Sequence, residues 1–216
     1  MKIIPDDDFI TFLSKNNALK PDPDANFRLA HFSIKMIKKQ KKIYKKLDLE
    51  STAELTIPES LRNYENVREA MGDDYEMIRV IERKTLYHLQ LVLNLIFDGY
   101  NFVKYSGKNF SRQPYFENVK SKIEQFTSLR FGQNHVDYVT LWSLIDRKID
   151  IDNAEIYSFK CVEESRKSDP FAQPGIQWGF AYFFYNRVLK NIIYMGIQNR
   201  KPVELMNEEE RNVYNV

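Results

Sequence analysis

One cysteine, Cys161, occurs in the 216 residues, so the chain can build neither an intrachain disulfide nor a multi-cysteine zinc site. That scarcity suits a reducing compartment, the cytosol or the nucleus. Glycine is also scarce: there are seven, and no pair has the spacing of a phosphate loop or a dinucleotide fingerprint, which argues against the common nucleotide-binding folds. Long apolar runs are missing as well. The most apolar stretch, residues 89–97, is broken by Gln90 and Asn94 and falls far short of the roughly 20 residues that a membrane span needs. Met1-Lys2-Ile3-Ile4 is followed at once by Pro5-Asp6-Asp7-Asp8, which no secretory apolar region tolerates. Nor is there bulk charge of one sign, because 32 Lys and Arg against 30 Asp and Glu leave a net +2. Such a balance lacks the basic excess of a duplex-coating protein, so any nucleic-acid contact has to come from a local patch.

What the chain does have is apolar content. At 43% hydrophobic residues, a chain of this length buries about 70% of its unfolded surface in one domain, and disorder of the whole chain is excluded. The patterning assigns elements. Asp6-Asp7-Asp8 can cap a helix carrying Phe9, Phe12 and Leu13 and ending near Asn16-Asn17, since carboxylates complement the free N–H groups of a helix start. The same property explains this acidic cluster without a metal, and it applies equally to Asp73-Asp74. Residues 26–36 alternate, with Ala30, Phe32, Ile34 and Met36 on one face and Phe27, Leu29 and His31 on the other, as in a strand. Helical spacing from Tyr75 takes in Ile78, Ile81, Leu86, Leu89, Leu93, Ile96 and Phe97, with Gly99 as a C-terminal cap. Further helices are expected from Pro114, with Phe116, Val119, Ile123 and Phe126, and from Asp137, with Tyr138, Leu141, Trp142, Ile145 and Ile149.

The chain then turns to β patterning. Residues 154–160 read as a strand, and Asp169-Pro170 and Pro174-Gly175 punctuate a loop. Residues 177–185 and 189–197 alternate and are joined at Asn186-Arg187, which predicts a hairpin with a two-residue turn. Trp178, Phe180, Tyr182 and Phe184 share one face, while the bulky Phe183 and Tyr185 take the other, so the sheet should be covered on both sides. Two-sided bulk also favours a core strand over a base-stacking platform for this aromatic run. The expected fold is α+β: a single globular domain over residues 1–206, with a mainly antiparallel sheet covered by helices on both faces. A variable linker of about residues 38–74 lies within it, and residues 207–216, with Glu208-Glu209-Glu210, form a polar tail.

Few residues suggest chemistry. His31, His88 and His135 are scattered, none beside a nucleophile motif, and all three read as structural or surface groups. The lysine run is the strongest patch: Lys35, Lys38, Lys39, Lys41, Lys42, Lys45 and Lys46 place seven lysines in twelve residues. It can serve as a nuclear-import signal, an acidic-partner patch, or a nucleic-acid or anionic-membrane module. Equally, it can be the solvated face of a helix whose apolar side is Ile37, Ile43, Tyr44 and Leu47.

One set of motifs points to a family. Ser168-Asp169-Pro170-Phe171, then Gly175-Ile176-Gln177-Trp178-Gly179-Phe180 and Tyr182-Phe183-Phe184-Tyr185-Asn186-Arg187 with Leu189-Lys190, resembles the C-terminal signature of the Maf global repressors of RNA polymerase III transcription, which are unrelated to the leucine-zipper proteins of the same name. The resemblance extends through Thr85-Leu86-Tyr87, Leu93-Asn94, Asp98, Tyr100, Phe102, Phe110-Ser111-Arg112 with Pro114, Leu141-Trp142 and Glu155-Ile156-Tyr157-Ser158. It is fainter at Met1-Lys2 and at Arg28, Phe32, Ser33, Lys35 and Met36. The resemblance implies a non-enzymatic repressor that shuttles between cytoplasm and nucleus under stress, binds the clamp region of RNA polymerase III and hinders its recruitment by TFIIIB. Importins and regulatory kinases are implied partners, although the linker holds only Ser51, Thr52, Thr56 and Ser60, without an Arg-rich kinase context. No cofactor, no metal, no small-molecule substrate and no sequence-specific DNA contact is implied. The signature residues Asp169, Pro170, Phe171, Trp178, Phe180, Phe183, Phe184, Tyr185 and Asn186 are expected to be mostly structural. A monomer is expected, because no apolar stripe is left over once the sheet and helices are covered.

Overall fold

The longest alternating stretch of the chain forms the longest strand, and the sheet is assembled around it. The protein is described as a computed structural model covering residues 1–16, 25–47, 52–58, 61, 72, 78–131, 136–160 and 169–201. Strands β1 (Lys2–Ile4), β2 (Ala25–Ser33), β5 (Phe110–Gln113), β6 (Glu155–Phe159), β7 (Ile176–Asn186) and β8 (Asn191–Arg200) make one antiparallel sheet in the order β1-β2-β8-β7-β6-β5. A separate two-stranded ribbon pairs β3 (Thr52–Glu54) with β4 (Val80–Glu82). The helices are α1 (Asp7–Lys15), α2 (Lys38–Lys46), α3 (Arg83–Ile96), α4 (Phe116–Phe131) and α5 (Tyr138–Ile149).

Because successive side chains of a strand point to opposite faces, the two apolar sets of β7 and β8 build two cores. On one face Phe183, Tyr185, Ile192 and Tyr194 join Phe32 of β2 and are covered by α3 through Leu86, Leu89 and Leu93. On the other, Phe180, Tyr182, Phe184, Ile193 and Met195 join Phe27 and Leu29 and meet Phe9 and Phe12 of α1, Val119 and Ile123 of α4, and Leu141 and Ile145 of α5. Helices thus cover both faces of an antiparallel sheet, the expected α+β architecture. Two of the caps are as read from the sequence: Asp6 accepts from the Phe9 N–H at 3.4 Å, and Asp137 from the Thr140 N–H at 3.0 Å.

Several boundaries differ from the sequence reading. The helix expected from Tyr75 begins at Arg83, and Ile81 belongs to β4, because its backbone pairs with Ala53. The strand expected to reach Met36 stops at Ser33, the last residue paired to β8. The hairpin turn has four residues, 187–190, with Asn186 paired to Asn191, so Leu189 lies in the turn and Lys190 takes the left-handed conformation at φ 58°. Asn186 secures this turn by accepting from the Leu189 N–H at 2.9 Å and donating to the Ile149 carbonyl at 2.9 Å. Within the span read as a linker, residues 38–46 are helical and 52–54 form β3. Strands β1 and β5 had no sequence expectation. The acidic pair Asp73-Asp74, His135, Cys161, Ser168 and the tail 207–216 lie outside the described residues.

Candidate interaction surface

The signature residues meet one another at one end of the sheet and along its centre. Asp169 is buried, and its carboxylate accepts from the Phe171 N–H at 2.9 Å, closing the turn that brings Phe171 back over the sheet. The Pro170 carbonyl accepts from the Gln198 amide at 2.6 Å, which ties this loop to β8. Phe171 stacks edge-on against Phe97 at 5.3 Å and lies so close to Gly179 that a Cβ there would come within 2.7 Å of its ring. Glycine at 179 is therefore required by the close approach. Phe183 packs on Phe110 and Tyr194, Phe184 on Trp142 and Phe116, and Phe180 on Phe126. Trp178, half-buried like Phe171, lies 5.0 Å from the Phe126 ring beside a groove of about 280 Å³ that also takes in Lys122, Ser158 and Thr56. The groove exists because β7 runs past the end of β6, whose last pair is Phe159 with Ala181.

The lysine run forms α2, which lies on the outer side of α3. At about 100° per residue, the six lysines Lys38, Lys39, Lys41, Lys42, Lys45 and Lys46 fall within an arc of roughly 160°, and all six are exposed. Gln40, Tyr44 and Leu47 lie on the opposite side. Arg83 donates to the Tyr44 carbonyl at 2.8 Å and to the Leu47 carbonyl, capping the C-terminal end of α2, and its guanidinium sits 4.6 Å from the centre of the Tyr44 ring. The Tyr87 hydroxyl donates to the Gln40 carbonyl at 3.1 Å. Of the apolar side read from the sequence, Tyr44 and Leu47 pack on the core while Ile37 and Ile43 stay exposed.

The two described histidines sit inside the fold. His88 is fully buried on α3, with Nδ1 3.2 Å from the Tyr185 hydroxyl and Nε2 without a partner. Burial, helped by the positive charge of Lys84, pushes it down to about 4, so the ring is neutral at pH 7. His31 faces Asp6 at 3.1 Å, and burial lowers its pKa against the pull of that carboxylate. Asp6 also pairs with Lys148 at 3.2 Å, and Lys148 with Asp8 at 2.8 Å, so the acidic triplet ties α1 to the end of α5. No group of three metal-ligating side chains occurs among the described residues.

The sequence model of the Maf1 regulator family matches residues 25–196, from β2 into β8. The chain belongs to the Maf1 regulator family. Among its relatives, a Dictyostelium discoideum protein named repressor of RNA polymerase III transcription is 29% identical over 132 residues, 61% of this chain and 46% of the relative. A Schizosaccharomyces pombe repressor of RNA polymerase III transcription is 24% identical over 115 residues, 53% of this chain and 47% of the relative. The matches thus span about half the length of these relatives. A crystal structure of citrus MAF1 superposes with a TM-score of 0.57 at 21% identity, covering 89% of this chain and 99% of that one. A second crystal form gives 0.51 at 22% identity, covering 87% and 94%. The fold is that of these Maf1 structures. Within it, sequence reading missed Arg83 and Gln198, the side chains that hold α2 and the signature loop. Each acts on backbone far along the chain, and no local pattern marks it.

Proposed function

We propose that this chain represses transcription by RNA polymerase III, binding the clamp region of the polymerase and hindering its recruitment by TFIIIB. The observation that carries the reading is the family match over residues 25–196, which takes in β2, β5, β6, β7 and most of β8 with helices α2 to α5. Relatives named for this repression support it. The mechanism is steric: a domain with its sheet buried on both faces presents a rigid outer surface, and occupying the polymerase surface that TFIIIB needs requires neither catalysis nor a cofactor. The chain acts as a monomer and moves between cytoplasm and nucleus with importins.

The test is binding of the purified chain to purified RNA polymerase III at near-physiological salt, with TFIIIB as competitor. Saturable binding that TFIIIB displaces, with matching loss of transcription from a polymerase III template, is the expected result. A well-folded chain that fails to bind overturns the reading.

A further inference from the structure

We propose that the lysine face of α2 is a sequence-independent contact for the phosphates of duplex DNA. The proposal starts from an imbalance. Lys148 pairs with Asp6 and Asp8, and Lys120 with Glu117, but among the described residues none of the six lysines on α2 forms an ion pair, and no other described segment gathers as many lysines. The helix contains no acidic residue, and four of its lysines, Lys38, Lys39, Lys41 and Lys42, stand in the first five positions, where the helix dipole disfavours cations. Lys38 and Lys42, Lys41 and Lys45, and Lys42 and Lys46 are four apart, so like charges face each other along the surface. A bound polyanion relieves all of these at once.

The chemistry around the lysines selects the polyanion. Insertion into a membrane needs a continuous free apolar side opposite the charges, whereas Tyr44 and Leu47 are packed on the core and the exposed Ile37 and Ile43 stand apart, beyond opposite edges of the lysine arc. Single-stranded nucleic acid needs exposed rings for stacking, but the one aromatic of α2, Tyr44, lies between Arg83 and Tyr87. Protein interfaces favour Arg and are depleted of Lys. Lysine point charges suit phosphate oxygens without reading bases. A helix with cations on both flanks, roughly 10–12 Å across, matches a major groove about 12 Å wide. The proposal stands on α2 alone and is independent of any contact with the polymerase.

The test is fluorescence anisotropy of the full chain with two 24-base-pair DNA duplexes of unrelated sequence, between 50 and 200 mM salt. Both duplexes should bind equally, with log affinity falling by about 0.9 per log salt for each lysine engaged. The quadruple variant Lys38→Gln, Lys41→Gln, Lys42→Gln, Lys45→Gln should flatten that slope by about 3 to 4. The corresponding quadruple Lys→Arg variant should keep it, which separates lost charge from lost folding. Lys122→Gln, on α4 across the sheet, should change nothing. The proposal is overturned if the Gln quadruple leaves the slope unaltered, if the Arg quadruple loses binding, or if polyglutamate, phosphatidylserine vesicles or a single-stranded oligonucleotide binds more tightly than the duplex at equal salt.

Discussion

Helices α2 and α3 touch each other on the same side of the sheet, yet α3 is buried without a break over residues 85–93 while α2 has no buried residue at all. Both carry apolar residues at helical spacing, so amphipathicity does not separate them. Their layer does. α3 lies directly on the sheet, and α2, β3 and the turns around Phe102 and Tyr105 pack over it, so apolar residues all round its cylinder find partners. α2 has α3 and the Met1 amino group, which donates to Gln40, beneath it and water on the other side, and it is held by a few polar contacts and one aromatic pair. Stability therefore concentrates in the inner layer, while charge can accumulate on the outer one at little cost to the fold.

Substitutions can break this contrast at graded strengths. Leu89→Ala, in the middle of the inner helix, should cost about 2–5 kcal/mol in urea denaturation; a loss below 1 kcal/mol would show that α3 is not the core element. The next effect is on pH dependence. His88 is neutral in the fold, at about 4 against its ordinary 6.5, so only the unfolded chain takes up the proton as pH falls. Stability is complete above pH 6.5 and is lost between 6.5 and 4, by roughly 3 kcal/mol at the lower end. His88→Gln should flatten that part of the stability profile, and an unchanged profile would show that the ring is already solvated. Arg83→Met removes the donors to the Tyr44 and Leu47 carbonyls and should loosen α2 by about 1–2 kcal/mol. Amide hydrogen exchange checks this: α2 should speed up while α3 keeps its protection, and equal acceleration of both would mean that the two helices open together. The smallest change is on the outer surface, where Lys39→Gln or Lys46→Gln should move the melting free energy by under about 0.5 kcal/mol.

Much of the second half of the chain was legible, and the reason is locality. The alternation of Trp178, Phe180, Tyr182 and Phe184 against Phe183 and Tyr185 is a property of consecutive residues, and it predicted a strand with two buried faces. The caps at Asp6 and Asp137 lie within three residues of the N–H groups they serve. Where the reading failed, the deciding partner was distant. Ile78 and Ile81 have helical spacing with Leu86, yet Ile81 pairs with Ala53 in a ribbon. β1 and β5 are short edge strands of three and four residues, too brief to show a period before β2 and β6 pair with them. For the lysine run, the spacing allowed a helix with an apolar side, but not which apolar residues would be covered: Tyr44 and Leu47 are, because Arg83 and α3 lie against them, and Ile37 and Ile43 are not.

The sequence by itself determined the α+β class, the two-faced central hairpin, the helices α1, α4 and α5 with the caps of α1 and α5, and the family signature from Asp169 to Asn186. All of these are written in periodicities and motifs a few residues long. Only the tertiary structure decided the layering of α2 over α3, the burial of His88 against Tyr185, 97 residues away, and the capping of α2 by Arg83, 39 residues on from Tyr44. These depend on which surfaces meet. A side chain's environment is set by neighbours that the packing of the sheet supplies, and no window of local sequence contains them.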